Sequence, residues 1–349
     1  MNQHVLDPGL PADDIRAVAR RIHRHCMGFR GADIRRSTIQ LLNTLIPFAI
    51  LIIAMGWFAT DQYWVTLLLS IPASGFLLRT FIIQHDCGHG SFMPTRDGND
   101  RLGAVLSLFT FTPYDHWKRS HATHHATSGN LDKRGVGDID TYTVEEYRAL
   151  SPLAQWRYRL YRNLFIQLVI GAPLNFIVLQ RLPASYSMKD KGAWFSVMGL
   201  NLGILVFYGG LMYAFGPALV LKVTLPVVFI AAWAGGWLFY VQHQFESGIW
   251  DKGEDWDFHV SALLGSSHYV LPPVMQWITG NIGIHHIHHL CSGIPNYRLE
   301  ECLNSSVELQ RVGVKLTVWE SLKSIPLVLW DEEHRKLISF REYKQLAKA

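Results

Sequence analysis

The sequence predicts an all-α integral membrane protein with transmembrane helices in two hairpins and its polar segments on one side of the membrane. Charged residues make up 17% of the chain, against about 25% in an average soluble domain. Three clusters of histidines lie outside the apolar segments. Four apolar runs approach the roughly 20 residues that a helix needs to cross a bilayer, and we expect spans at about residues 41–60, 63–84, 193–215 and 223–241.

The N-terminal segment, residues 1–40, is polar and basic, so we expect no cleaved signal peptide and expect the first span to direct insertion. Residues 11–36 contain seven arginines and few acids. This pattern indicates an amphipathic helix on the cytoplasmic membrane surface. The first two spans are joined only by Asp61-Gln62, and the last two by a Gly-Pro turn at 216–217.

The remaining polar stretches, 85–192 and 242–349, are expected to lie outside the membrane. Two apolar pieces, 102–113 and 164–179, are short for full crossings and suit interfacial or re-entrant helices better. No linker or repeat divides the chain, so we predict one domain over 1–349. The net charge of +4 is too mild to indicate nucleic-acid binding, and the four cysteines form no CxxC pair.

The positive charges predict the orientation. Of the 32 Lys and Arg residues, seven lie in 1–40, thirteen in 84–192 and ten in 242–349. The two others, Arg79 and Lys222, are near span ends, from which they can reach the interface. Because positive loops stay inside, both termini and all three histidine clusters are predicted on the cytoplasmic side.

The histidine clusters read HDCGH, HATHH and HHIHH. Each spaces its rings at i, i+3 or i+4, so a helix presents them on one face. The exit of the fourth span adds one more imidazole. Because imidazole binds transition metals readily at neutral pH, so many aligned rings imply more than one metal ion. The candidate ligands are His85, His89, His121, His124, His125, His243, His285, His288 and His289.

The ligand set also narrows the choice of metal. Zinc sites usually need only three or four ligands. Copper accepts imidazole, but no Met or Cys lies in a suitable pattern. Iron with open coordination positions suits oxygen activation, and the Glu-x-x-His motif of soluble di-iron bundles does not occur in the chain. An all-histidine di-iron centre is therefore the option that the residues favour.

At these motifs the chain resembles the membrane fatty acid desaturases, most closely the bacterial acyl-lipid Δ12/Δ5 type. The likeness runs from about residue 40 to 300, and its first box is H-x3-H rather than the H-x4-H of acyl-CoA Δ9 enzymes. The matching stretches are HDCGHGSF at 85–92, HATHHATSGNLDKR at 121–134, VQHQFE at 241–246 and GNIGIHHIHHL at 280–290.

The resemblance implies four transmembrane helices beneath a cytosolic helical cap, with two irons held by the nine histidines and a narrow tunnel for the acyl chain. It implies that O2 is the co-substrate and that a cis double bond is introduced into a lipid-linked chain. Related acyl-CoA enzymes have an Asn near the ninth histidine. Phe239 takes that position here, and Asn281, one turn before His285, is a candidate substitute.

Residues beside the ligands receive supporting roles. We expect Asp86 and Glu246 to accept hydrogen bonds from imidazole N–H groups, and Trp117, one turn before His121, to line the acyl tunnel. Asp138 and Asp140 are expected in a solvated loop. His286 is expected to point away from its ligand neighbours. The metal ions are the catalytic centre, and no separate catalytic residue is assigned.

A separate electron donor, such as ferredoxin or cytochrome b5, is required because the chain has neither a haem-binding His-Pro-Gly-Gly motif nor a ferredoxin-type cysteine set. The implied location is the bacterial inner membrane. One alternative is hydroxylation on the same scaffold. Another is a membrane metal transporter, which needs polar ligands inside the spans; Asn43 and Asn201 are the main candidates there.

Overall fold

The computed structural model describes residues 12–346, which are predominantly helical. The α-helices run in chain order as α1 Ala12–Cys26, α2 Ile34–Phe58, α3 Tyr63–Gly88, α4 Arg96–Thr110, α5 Tyr114–Thr127, α6 Val144–Ala149, α7 Pro152–Tyr161, α8 Ala172–Ile177, α9 Lys191–Phe215, α10 Pro217–His243, α11 Phe258–Leu264, α12 Pro273–Ile278, α13 His285–Leu290, α14 Asn296–Asn304, α15 Val307–Arg311, α16 Val318–Ser321 and α17 Phe340–Leu346. The strands are β1 Tyr142–Thr143, β2 Ser267–Val270, β3 Val314–Thr317, β4 Leu327–Asp331 and β5 Lys336–Ser339.

Four long helices, α2, α3, α9 and α10, coincide with the four predicted spans, except that α2 ends at Phe58, two residues before the predicted end of the first span. At 1.5 Å per residue, each is about 38–40 Å long, which exceeds the roughly 30 Å hydrocarbon core. Helix α3 packs against both α2 and α10, with Met55, Leu77 and Val227 in the shared core. Asp33 and Asp190 cap the N-termini of α2 and α9 by accepting backbone hydrogen bonds.

A fifth segment, Ile166–Ser187, is also long and apolar enough to cross a membrane. It is not one regular helix, because it combines a π-helical turn (Ile166–Gly171), α8 and two 3₁₀ turns. Arg181 lies within it and donates to Asn201 of α9 and to the carbonyl of Phe111. Among the described residues five segments satisfy length and hydropathy, so the predicted count of four spans is not confirmed.

The amphipathic N-terminal segment forms a shorter helix than expected, and the apolar face of this helix packs against protein. Helix α1 ends at Cys26, and α2 begins at Ile34 after a turn at Gly31 (φ +100°). Its apolar residues, including Ala19 and Ile22, are buried against α11, α13 and α14. The prediction that residues 11–36 lie on the membrane surface is therefore wrong for α1, because protein covers its apolar face. Residue 11 is outside the described residues.

The polar segments form a cap that includes two small β-sheets, so the all-α prediction holds only for the bulk of the fold. One sheet has the strand order β1-β4-β5, and the other pairs β2 with β3 in parallel. Their strands have two to five residues, too short for a strong period-2 pattern. The second sheet lies beside the C-terminal end of α10 and supports α13, because Tyr269 donates its backbone N–H to the carbonyl of Gly283.

Candidate metal centre

The first histidine pair lies where α3 ends. His85 and His89 are four residues apart, and the backbone N–H of His89 donates to the carbonyl of His85. The helix ends there because the φ of Gly90, +68°, lies outside the helical region. Glycine adopts this φ readily, whereas it is costly for residues with a Cβ. The two rings are 4.7 Å apart, centroid to centroid. Helix α3 thus carries both imidazoles directly from the apolar bundle to the cap.

Helices α5, α10 and α13 bring the remaining rings to the same place. Helix α5 presents His121, His124 and His125, and α10 ends on His243. Helix α13 is buried along its whole length. It follows a tight turn in which a Cβ on Gly283 would lie 2.4 Å from the carbonyl oxygen of Tyr269. Glycine at that position lets the HHIHH motif approach the other helices.

The imidazoles form two adjacent groups whose metal-binding atoms lie within 4.8 Å of one another in each group. His243 joins the smaller group to His285, since their Nε2 atoms are 3.1 Å apart. The groups also touch, with the rings of His125 and His289 stacked at 4.0 Å. The larger group is His85, His89, His121, His125 and His288, and the smaller is His124, His243 and His289.

Burial favours the neutral form of several of these rings. Burial lowers the pKa of His125, His288 and His289 well below the usual value, and neighbouring imidazoles lower it further. Several buried ring nitrogens have no hydrogen-bond partner in the described residues, among them Nε2 of His89, His288 and His289. Neutral imidazoles with converging, unpaired nitrogens are the state that binds a metal, so the cluster fits metal ions.

Two buried carboxylates orient rings of the cluster. Asp86 Oδ1 lies 3.1 Å from Nδ1 of His85, and its Oδ2 accepts from the backbone and side-chain nitrogens of Asn296 at 2.6 and 2.8 Å. Asp138 pairs with Nδ1 of His124. A carboxylate on Nδ1 fixes the tautomer and leaves Nε2 free for a metal. The expected position of Asp86 beside a ligand is found.

Asp138 was expected in a solvated loop, and that prediction is wrong. Its side chain is 6% exposed and lies against α5. Gly137, with φ +76°, lets the loop approach, since a Cβ there would lie 3.1 Å from Cβ of His124. The flanking glycines Gly135 and Gly137 are the only local signal of a tight loop, and they do not reveal which helix it meets.

Two other supporting residues are not where the sequence suggested. The Glu246 side chain is largely exposed and lies 3.8 Å from Lys336, because the chain leaves the helix after His243. The Asn281 side chain donates to the carbonyl of Asn296 rather than pointing at the rings. The suggested roles of Glu246 beside a ligand and of Asn281 as a substitute are both wrong.

Aromatic rings border the cluster. The Trp117 ring stacks on His121 with centroids 4.6 Å apart, and it also approaches His85 at 5.8 Å. Phe239 packs against His124 and His243 at 5.4 and 5.2 Å. Among the nine rings, His89 and His121 are the half-buried ones and the rest are buried.

The remaining histidines and the cysteine of the first motif lie elsewhere. His286 is buried beside His268, with ring centroids 5.7 Å apart, and does not join either group. Cys87 is buried in an apolar cluster with Ile83 and Phe92, as expected for a packing residue. His116 faces Tyr186 across 6.0 Å. The geometry thus separates nine converging imidazoles from the others.

Comparisons with known proteins agree with one another. The family described as "Fatty acid desaturase" matches residues 62–308. The chain is 40% identical over 328 residues to a fatty acid desaturase of Bacillus subtilis, covering 94% of this chain and 92% of that protein. It is 29% identical over 262 residues to the sn-1 acyl-lipid omega-3 desaturase (ferredoxin) of Synechocystis, covering 70% and 66%. It is 27% identical over 316 residues to the acyl-lipid omega-3 desaturase (cytochrome b5) of Arabidopsis thaliana, covering 86% and 76%.

Proposed function

Since this chain belongs to the fatty acid desaturase family and is a desaturase, we propose that it introduces a cis double bond into the acyl chain of a membrane lipid at a pair of iron ions. The family predicted from the histidine motifs is confirmed. The lipid-linked substrate is supported by relatives whose names describe acyl-lipid desaturases. The overall reaction consumes O2, two electrons and two protons and yields one C=C bond and two waters.

The convergence of nine imidazoles from α3, α5, α10 and α13 is the observation that carries this proposal. So large an all-nitrogen set exceeds the three or four ligands of a zinc site and suits iron with open positions. One metal ion would be held by the five-histidine group. The second would be held by His124, His243 and His289 together with His285. Bound iron supplies the oxygen activation needed to break unactivated C–H bonds.

The protein's own contribution is to fix ring orientation and to exclude water. Asp86 and Asp138 hold the Nδ1 protons of His85 and His124, so both Nε2 lone pairs point inward. Phe239 covers two rings of the smaller group. Trp117, stacked on half-buried His121, provides an apolar wall along which the acyl chain would be placed beside the metals.

A topology with four membrane crossings is consistent with one histidine cluster on one side of the membrane. We assign α2, α3, α9 and α10 as the crossings and Ile166–Ser187 as an interfacial segment, because its helical pieces are short and Arg181 lies within it. With an even number of crossings, both termini and the histidine cluster share one side. The distribution of Lys and Arg supports the cytoplasm for that side.

Electrons would come from a separate protein. Relatives named for ferredoxin or for cytochrome b5 support either donor class. The four cysteines are buried free thiols that do not form one set for an iron–sulfur cluster, since Cys26 and Cys302 lie 3.7 Å apart and Cys87 packs in a different cluster. The donor would need to approach within electron-transfer range of the cluster from the aqueous side of the cap.

Lipid analysis of cells that express the full chain tests the proposal. A desaturase yields acyl chains two mass units lighter, whereas hydroxylation yields chains sixteen units heavier. The His124→Ala variant should abolish the product. His116→Ala is the matched control, because it lies on the same helix but outside the cluster, and it should retain the product. Metal uptake into vesicles without new lipid species would instead indicate a transporter.

A further inference from the structure

A polar cavity of about 510 Å³ lies between α2, α3, α12 and α14, away from the histidine cluster. Polar side chains are unusual here because α2 and α3 are predominantly apolar helices. The cavity reaches from the first turn of α2 to a level about 10 Å further along that helix. Its lining includes Arg36, Gln40, Asn43, Arg79, Trp277 and Asn296.

Arg79 is a buried cation at the inner end of this cavity. Its residue is 5% exposed, and no carboxylate lies within ion-pair distance of it among residues 12–346. Its Nε donates to Thr44 at 3.1 Å, and Nη1 donates to the carbonyl of Trp277. Nη2 makes no hydrogen bond to any described residue. The guanidinium also lies 4.0 Å from the centre of the Trp277 ring, a contact that does not neutralise it. A buried charge is costly unless paired, so the site favours an anion from outside the chain.

The cavity wall offers a second unsatisfied polar group. Gln40 is 3% exposed, and its Nε2 donates to Oδ1 of Asn296 at 2.8 Å. Its Oε1 is buried and has no partner among the described residues. A ligand that carries both an anionic group and a hydroxyl would satisfy Arg79 and Gln40 together.

Exposed apolar side chains surround the mouth of the cavity. Helix α12 exposes Val274, Met275 and Trp277, and α2 exposes Ile39 and Leu42. Exposed apolar residues beside an interfacial Trp are typical of the boundary between headgroups and acyl chains. A lipid tail could lie along this surface while its headgroup enters the cavity.

The acidic residues of the cavity lie at its opposite end. Glu300 is exposed at the rim. Glu301 is paired with Arg36, with Nη1 and Oε2 2.9 Å apart. Arg36 is therefore already neutralised, and the unpaired positive charge is at Arg79. An anion would be drawn past the rim to the inner end.

We propose that this cavity binds the phosphate group of a glycerophospholipid from the leaflet on the histidine side. Asn296 forms both a wall of the cavity and a hydrogen bond to Asp86, which contacts His85. A lipid bound in the cavity would therefore also stabilise Asn296 and, through it, the contact of Asp86 with His85 in the first histidine motif. The binding site itself does not depend on whether the protein desaturates lipids.

The test measures thermal unfolding of the purified, metal-loaded full chain in detergent. The probes are dioleoyl phosphatidylglycerol, dioleoylglycerol and inorganic phosphate. Wild type should be stabilised by phosphatidylglycerol alone, and Arg79→Gln should weaken its apparent affinity at least about tenfold. Asn43→Phe fills the cavity but keeps Arg79, and it should weaken lipid binding to the same extent. This second variant keeps the test decisive if Arg79→Gln does not fold. Arg35→Gln, an exposed neighbour on α2, should bind like wild type.

Four results would overturn the proposal. Equal stabilisation by dioleoylglycerol would show that the tails alone bind. Stabilisation by inorganic phosphate at comparable concentration would indicate a site for a free anion. Full lipid binding by both Arg79→Gln and Asn43→Phe would place the lipid elsewhere. An equal loss in Arg35→Gln would indicate non-specific attraction to the basic surface.

Discussion

Asp138 accepts a hydrogen bond from Nδ1 of His124, across fourteen residues of chain. Both side chains are nearly inaccessible to solvent. The pair parallels Asp86 and His85 on the other side of the cluster. Each group of imidazoles therefore has one ring whose tautomer is fixed by a buried carboxylate, although the two carboxylates come from unrelated segments.

Replacing Asp138 should weaken metal binding without removing any imidazole. In Asp138→Ala the ring of His124 loses its orienting acceptor, and metal affinity should fall about 10–100-fold. Iron content after dialysis against a graded chelator series measures the effect. Asp140→Ala, an exposed residue of the same loop, is the control and should retain wild-type iron. If both variants keep the same iron, Asp138 does not support the centre.

Asn296 should matter for stability although it touches no imidazole. Its backbone and side-chain nitrogens both donate to Asp86 Oδ2, so Asn296→Ala removes one partner of a buried carboxylate. We expect a loss of about 1–3 kcal/mol in the free energy of unfolding. Thermal unfolding in detergent gives the comparison. Asn304→Ala, at the exposed end of the same helix, should differ little from wild type, and equal losses in both would argue against the Asp86 contact.

The histidine cluster could be predicted from sequence because its signal is local. His85 and His89, or His285 and His289, need only helical spacing to share a face, and the apolar spans indicate where those helices emerge. Their convergence in the structure follows from the packing of α3 against α10 and of α13 against β2, which itself packs on α10. The assignment of each ring to iron stays a prediction.

The residues around the cluster could not be predicted in the same way. Glu246 is close to His243 in sequence, yet the backbone turns outward after the helix and exposes it. Asp138 is far from a ligand motif and reaches His124 through a glycine-containing loop. The apolar face of α1 suited a membrane as well as a protein partner, because amphipathicity does not specify what covers it. Tertiary contacts decided all three cases.

Gly88 should tolerate no side chain because Trp117 occupies the space. A Cβ at Gly88 would lie 2.9 Å from Cζ3 of Trp117, so Gly88→Ala must displace the indole that stacks on His121. We expect about 1–3 kcal/mol of destabilisation and reduced product in the lipid assay. Gly209→Ala, where nothing lies within 4 Å, is the control and should be neutral.

A double mutant isolates the Gly88 contact. Trp117→Phe removes the atom that the new methyl group meets, so Gly88→Ala should cost less stability in that background than in wild type. Unfolding midpoints of the four proteins give the coupling energy. Strictly additive effects would show that Gly88 is required for another reason, such as the termination of α3.

Acid should destabilise the cap through His268, which lies in β2 opposite Lys315 of β3. Burial, followed by the charge of Lys315, lowers the pKa of His268 to about 4. The unfolded chain binds this proton below about pH 6.5 while the folded chain does not, so stability is complete above that pH and declines as the pH falls towards 4. Each pH unit in this window removes up to about 1.4 kcal/mol.

His268→Gln cannot titrate and should be less sensitive to acid than wild type, whereas His334→Gln, at an exposed histidine, should follow wild type. Unfolding midpoints between pH 7.5 and 4.5 test this, because titration of the clustered imidazoles is common to all three proteins and cancels in the differences. Parallel curves for wild type and His268→Gln would show that His268 does not contribute to acid sensitivity.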